Sequence, residues 1–409
     1  MKMLLVCYLT RRLFGPLATG ASLPIFLALF LFGGPVSAVT VVDGVSYSSV
    51  NPTIRVYRAF YPEGVSQNAK LPIVVFVHGG GWYKGSREDE SITPSSCTGD
   101  QTIACWLADH GYVVYDIDYT LVVTVATAAD LTLVGPNQVS SASYSFKRSD
   151  IGNNLVIETG FGWPGGGYLI TSVSRGVATL ASSPASTDAG NGVYSLIQAG
   201  TYWPAQWQDC NCFLRYLAEN AGVNIPGDPN NIQLMGQSAG GQLVLMMGMS
   251  GNSTYPPNCD HSSTRYTVQT IMAASPPSDL QTLYPVTDGQ QDIRNFLGCV
   301  PDTPACTDTS EDASPVNYVG ENQPFVATFS GSLDTSVPPS NPKEIQAAYS
   351  DLRPPVYSPW TLYPGMYHPL DMFFSQPCSG MQEPSPCGSA GMFLADAYSY
   401  MQEVGENQP

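Results

Sequence analysis

The chain has 409 residues, with 33 acidic side chains against 16 Lys and Arg and a net charge of −17 at pH 7. So acidic a chain repels phosphate backbones and anionic headgroups, which argues against nucleic acid or an anionic membrane surface as partner. The length allows one large α/β domain plus an insertion.

Residues 1–38 read as an export signal. Lys2, Arg11 and Arg12 give a basic start, residues 24–32 a short apolar core, and Val36-Ser37-Ala38 a small-x-small cleavage site. A membrane anchor is the weaker reading, because the apolar core is too short to span a bilayer comfortably. Cleavage would leave 371 residues, four lysines and a net charge of −20. The expected location is secreted or periplasmic, with no stable membrane anchor; the oligomeric state is not legible. Nine cysteines follow Cys7, and Cys97/Cys105, Cys299/Cys306 and Cys378/Cys387 each bracket a short polar stretch. Short disulfides in an oxidising compartment are expected there, leaving Cys210, Cys212 and Cys259 with at least one free thiol. Without a Cys-x-x-Cys pair, or histidines spaced to join one, no metal site is expected.

Residues 40–61 read as one or two strands. Residues 71–77, Leu-Pro-Ile-Val-Val-Phe-Val, are a continuous apolar run of the kind buried on both faces of a sheet. They lead into His78-Gly79-Gly80-Gly81-Trp82. A helix over 101–110 and a second buried strand at 112–117 complete a βαβ unit, which implies a parallel sheet. Residues 121–199 differ: rich in Val, Thr, Ser and Gly, poor in charge, with strand-like pieces at 142–146, 154–158, 167–173 and 176–180. They predict a small all-β subdomain, a lid, a substrate-binding module or a structured loop without binding role, inserted between the two parts of the main domain at 39–120 and 200–409. The α/β pattern resumes with a helix over 206–220. Strands follow before residue 236, at 268–273, 325–330 and 357–362, with helices at 342–352 and 391–404.

Gly236-Gln237-Ser238-Ala239-Gly240 stands between an apolar strand and a helix-compatible run, the context of a nucleophile elbow. The glycine run at 79–81, at the end of a buried strand, lets backbone N–H groups converge on one cavity, as a developing oxyanion requires. Gly80 and Gly81 are the expected donors, with Ala239 as the third; Gly79 is an alternative to Gly81. A phosphate loop is disfavoured because no Lys-Ser/Thr follows. Of four histidines, His368 lies in a loop after the last strand, whereas His78 belongs to the glycine loop, His110 to a helix end and His261 to a Cys- and Ser-rich loop. Asp334 follows the strand at 325–330 and falls between Ser238 and His368, in the Ser…Asp…His order. Asp279, Asp302, Asp308 and Asp371 are less well placed; Asp279 could line the pocket or cap a helix.

In this order, His-Gly-Gly-Gly-Trp, Asp118-Tyr119, Pro204-Ala205-Gln206, the Gly-Gln-Ser-Ala-Gly-Gly elbow, Leu-Asp-Thr-Ser-Val-Pro and Tyr-Pro-Gly-x-x-His resemble secreted α/β-hydrolase esterases. That group includes hormone-sensitive-lipase-like and acetylxylan or feruloyl esterases. The resemblance covers residues 53–119 and 203–401. It departs from the family at Thr120, where an arginine is usual, and at the eighty-residue insertion. It implies an α/β-hydrolase fold with a mostly parallel sheet, and hydrolysis of a carboxylic ester through Ser238, His368 and Asp334 with no metal or organic cofactor. The expected substrates are short-chain acyl or plant-polymer esters, small or polymer-linked, with Trp82, Tyr83 and Tyr367 near them. A lipase or a serine peptidase on the same fold, or a non-catalytic adhesion or carbohydrate-binding protein, are the alternatives.

Overall fold

Ile73, Val75 and Val77 face one apolar cluster, Val74 and Phe76 another, and all five are buried, so strand β3 (Ile73–Val77) lies inside a sheet covered on both faces. The computed structural model describes residues 38–88, 94–97, 102–187, 189–252, 258–368 and 390–406. The expected export signal, apart from Ala38, lies outside these residues, as do Asp371 and the Cys378/Cys387 pair. Numbered along the chain, the main sheet has the order β1 (Val39–Ser46), β2 (Val56–Pro62), β4 (Val113–Ile117), β3, β11 (Ile232–Gln237), β12 (Thr270–Ala274), β13 (Phe325–Gly331) and β14 (Trp360–Tyr363). β1 and β2 pair antiparallel with each other, and β2 with β4; every later neighbour is parallel. All strands from β4 to β14 therefore end on one edge.

Helices α1 (Ile103–Asp109) and α8 (Ala390–Glu406) pack on the face of Val74 and Phe76. Helices α2 (Ala205–Asn220) and α3 (Ala239–Met249) cover the face of Ile73, Val75 and Val77. Every residue of α3 is buried. Between β12 and β13 run α4 (Leu280–Leu283), α5 (Gln290–Leu297) and α6 (Thr307–Asp312), and α7 (Ser340–Asp351) precedes β14. The helices over 280–312 were not foreseen, although Ile293, Phe296 and Leu297 have the i, i+3, i+4 spacing of a buried helical face. No helix among the described residues is long and apolar enough to cross a membrane.

Residues 124–197 close into a six-stranded, all-antiparallel barrel. It comprises β5 (Thr124–Gly135), β6 (Gln138–Ser140), β7 (Asn154–Ile157), β8 (Gly166–Ser174), β9 (Val177–Leu180) and β10 (Gly192–Ile197), in the order β10-β5-β6-β9-β8-β7. Leu131, Val139, Leu155, Ile157, Ile170, Leu180, Tyr194 and Leu196 fill it. β7, β8 and β9 coincide with the strand-like pieces at 154–158, 167–173 and 176–180, but 142–146 contributes only a bridge from Phe146 to Gly176, and β10 lies outside the expected pieces. β5, the longest strand among the described residues, carries no legible alternation because its inward residues are Ala126 and Ala128, then Leu131 and Leu133. A register shift opposite residues 192–194 breaks that alternation.

Two expected disulfides are present, Cys97–Cys105 and Cys299–Cys306. Cys212 pairs with Cys259 and leaves Cys210 as a buried thiol.

Candidate active site

At the edge where the parallel strands end, β11 turns into α3 through Ser238, whose backbone sits at φ 52°, ψ −124°. Such a φ is uncommon outside glycine and stores strain. The flanking glycines make the turn possible. A Cβ on Gly236 would lie 2.7 Å from the carbonyl carbon of Gly240, and one on Gly240 would collide with the carbonyl oxygens of Val77 and His78. The Ser238 N–H donates to Ala274 O (2.8 Å), tying the turn to β12.

β13 and β14 are parallel neighbours, so the loops after them leave side by side. They are stapled together: Ser332 N–H donates to Tyr363 O (3.0 Å), Leu333 N–H to Met366 O (2.8 Å) and Gly365 N–H to the Ser332 hydroxyl (2.8 Å). This brings Asp334 and His368 together. His368 Nδ1 lies 3.0 and 2.9 Å from the two Asp334 carboxylate oxygens, and Nε2 lies 2.8 Å from Ser238 Oγ. An Nδ1–H donating to the carboxylate leaves Nε2 as the acceptor for the serine hydroxyl. The Asp334 side chain is fully buried and also accepts from Val337 N–H (2.8 Å).

The glycine loop faces this group. Gly80 (φ 112°) and Gly81 (φ 59°) occupy conformations that favour glycine. Among the described residues, none of the N–H groups of Gly79, Gly80, Gly81 and Ala239 donates a hydrogen bond. His78 is an organiser of the loop: its buried ring stacks on Tyr119 (4.4 Å between centroids), and Nδ1 lies 2.7 Å from Gly79 O. Beyond the loop, Arg87 donates from its N–H to Asp118 (2.6 Å) and from its guanidinium to Asp118 and to Asp43 (2.9 Å).

A cleft of about 600 Å³ contains Ser238, His368 and the glycine loop. Leu283, Ile293 and Val337 give it an apolar wall, and Lys84, Asp288 and Asp292 a polar one. Burial raises the Asp292 carboxyl above its usual range against the pull of Lys84, with Asp288 adding to the rise. Of the aromatic residues expected near the substrate, Tyr83 lines the cleft and is 43 % exposed. Trp82 also borders it, but its ring is buried, stacked on Phe296 and donating to Gln242 Oε1 (3.1 Å). Tyr367 is 59 % exposed and is not among the residues lining the cleft. Asp279 caps α4, accepting from Gln281 N–H (2.8 Å) and Thr282 N–H (3.2 Å). The α4–α5 wall was missed from sequence, where only the amphipathic spacing in 290–297 hinted at it.

Residues 60–132 and 193–349 match the BD-FAE family, more than half of the chain, including the glycine loop, the elbow and Asp334. The chain belongs to the BD-FAE family. It is therefore a carboxylic ester hydrolase of α/β-hydrolase fold. The match passes over 133–192, most of the barrel. A comparison with curated proteins returns no match.

Solved structures share the fold at low identity. A truncated carbohydrate esterase from gut microbiota superposes with TM-score 0.56 and 14 % identity, covering 91 % of this chain and 99 % of that one. Esterase B from Lactobacillus rhamnosis gives 0.55 and 14 %, over 91 % and 88 % of the two chains. The propionate-bound thermophilic esterase Est2 of the planctomycete Thermogutta terrifontis gives 0.52 and 15 %, over 92 % and 97 %.

Proposed function

We propose that this BD-FAE member hydrolyses its esters through Ser238 as nucleophile, His368 as general base and acid, and Asp334 as the carboxylate that holds the imidazole. The observation that carries this is the unbroken chain from Asp334 through His368 to Ser238 Oγ, in one cleft with backbone N–H groups that donate to none of the described residues. His368 takes the hydroxyl proton as Oγ attacks the acyl carbon. Asp334 stabilises the imidazolium that results. The N–H groups of Gly80, Gly81 and Ala239 receive the oxyanion, with Gly79 in place of Gly81 as the alternative. His368 then returns the proton to the departing alcohol. Water, deprotonated by the same histidine, attacks the acyl-enzyme, and the acid product leaves with Ser238 restored.

The substrates on this reading are neutral short-chain acyl esters or acetyl and feruloyl esters of plant polymers. The apolar wall suits an acyl group, and the polar wall suits the hydroxyls of a carbohydrate alcohol. The carbohydrate esterase among the structural relatives supports the same direction. The three disulfides among the described residues support a protein matured outside the cytoplasm, in keeping with an export signal at 1–38.

The test uses the chain from residue 39, produced by secretion, on p-nitrophenyl acyl esters of increasing length and on acetylated and feruloylated xylan. Ser238→Ala should abolish turnover. Asp334→Asn should lower kcat by roughly 10⁴-fold, the scale seen when the carboxylate of such a triad is neutralised. Full ester hydrolysis by Ser238→Ala would refute the assignment. A preference for long acyl chains at a lipid interface would replace the substrate reading by a lipase.

A further inference from the structure

The barrel lies mostly outside the BD-FAE match, yet its connections meet at the glycine loop. Trp82, directly after Gly81, is held at φ 63°. A bulky residue in that conformation carries strain of about 1–3 kcal/mol and persists only where its surroundings over-determine it. Besides Gln242 on α3, those surroundings include the chain entering and leaving the barrel. On the way in, Val122 N–H donates to Trp82 O (2.8 Å). On the way out, Trp203 N–H donates to Phe296 O (2.7 Å), and the Phe296 ring stacks on Trp82, 4.1 Å between centroids and 12° from parallel.

Phe296 belongs to α5, and the barrel grips that helix at several points. Glu158, just after β7, pairs with Arg294. Asn295 Nδ2 donates to Thr124 Oγ1 (3.2 Å) at the start of β5. Asn154 on β7 donates to Gly298 O at the end of α5, and Gly167 on β8 packs so closely there that a Cβ would collide with the same oxygen. The same helix presents Asp292 and Ile293 to the cleft.

We propose that the inserted barrel is a buttress for the glycine loop, with Glu158, Asn154 and Gly167 as positioning residues that act through α5, Phe296 and Trp82. The inference rests on the reading of Gly80 and Gly81 as oxyanion donors. The barrel contributes no reacting group. It fixes where the donors stand, and the site pays for that with an otherwise strained Trp82. A positioning role differs from a lid or a separate substrate-binding module: disturbing the joint alters transition-state binding even for the smallest ester.

Two variants load the joint without touching the cleft. Gly167→Ala wedges β8 against Gly298, and Glu158→Lys sets a cation against Arg294. Each is measured for kcat and KM on p-nitrophenyl acetate and for inhibition by a simple alkylboronic acid, whose tetrahedral adduct with a serine occupies an oxyanion hole. An ångström-scale displacement of a catalytic group costs up to 10²-fold, so a partial one should lower kcat about tenfold. KM should stay within about twofold, and boronate affinity should fall by the same factor as kcat, because only the transition state meets the donors. Combining Glu158→Lys with Arg294→Glu should restore most of both. Wild-type kcat and boronate affinity in either variant, with an unchanged near-ultraviolet spectrum, would overturn the proposal; if Gly167→Ala does not fold, Glu158→Lys decides. Should the site reading itself be wrong, the wild-type enzyme would not bind the boronate, and both readings fall together.

Discussion

Replacing Gly240 by alanine tests how closely α3 is seated on the end of β3. In the native chain the backbone at Gly240 touches that of Val77 and His78 with no room between. A Cβ there would lie 2.7 Å from the carbonyl carbon of Val77. Ordinary carbon contacts are about 3.5–4.0 Å, so α3 must retreat by roughly 1 Å. The obstacle is backbone in a central strand and cannot rotate aside, which places the overpacking cost near the upper end of about 1–3 kcal/mol. Alanine returns about 1 kcal/mol of helix propensity. The net loss is about 2 kcal/mol, read as a lower urea midpoint at unchanged slope. Because α3 begins directly after Ser238, the same retreat moves Oγ relative to residues 79–81. A shift of this size should lower kcat on p-nitrophenyl acetate by roughly 10- to 100-fold. Gly251→Ala is the control: a Cβ there meets nothing within 4 Å among the described residues, but φ is 59°. It should cost about 1 kcal/mol of strain and leave kcat unchanged. Wild-type stability and kcat in Gly240→Ala would refute the close seating. An equal kcat loss in Gly251→Ala would refute the link between this contact and the rate.

The remaining predictions concern charge. Asp288 and Asp292 line the cleft with Lys84, so an anionic acyl group should be handled worse than a neutral one of the same length. Asp292→Asn should narrow the kcat/KM ratio between p-nitrophenyl butyrate and p-nitrophenyl hemisuccinate by roughly fivefold, equivalent to about 1 kcal/mol of partly screened repulsion; an unchanged ratio would exclude Asp292 from selectivity. Burial opposes the ionisation of Asp43, but hydrogen bonds from Arg58 and Arg87 overcome it and hold the carboxyl at about 2, below the ordinary 3.8. A depressed carboxyl contributes its full stability above its unfolded value and loses it as pH falls through the folded one. Asp43→Asn should therefore remove part of the acid destabilisation between 3.8 and about 2, seen in unfolding midpoints across that range; an identical acid profile would show that the pair contributes nothing.

The chemistry of this chain was legible in the sequence because it is written in short contiguous pieces. Gly236, Ser238 and Gly240 define a turn that few other residues could make, since Cβ atoms at the two glycines would strike backbone. The apolar run at 73–77 identifies a strand buried on both faces, and so the place where the glycine loop emerges. Asp334 and His368 could be chosen because each follows a strand in the expected order. Their approach to Ser238 follows from the parallel order β11-β12-β13-β14, in which the loops after β13 and β14 leave the sheet on the edge where β11 ends.

What only the tertiary structure decided depends on contacts between residues far apart along the chain. The barrel closes by pairing β7 and β5 with β10, and the shifted register of β5 hides its alternation from any local reading. Cys212 finds Cys259 across 47 positions and leaves Cys210 as a thiol, a choice that spacing could not make. Tyr367 is adjacent to His368 and yet is not among the residues lining the cleft, while Asp292, 54 positions after Ser238, helps to line it. Neighbours along the chain need not share surroundings, and a helix lends one face to whatever the fold lays against it. The motifs thus picked out the atoms proposed to carry out the reaction, and the packing of α5 between barrel and cleft decided what surrounds them.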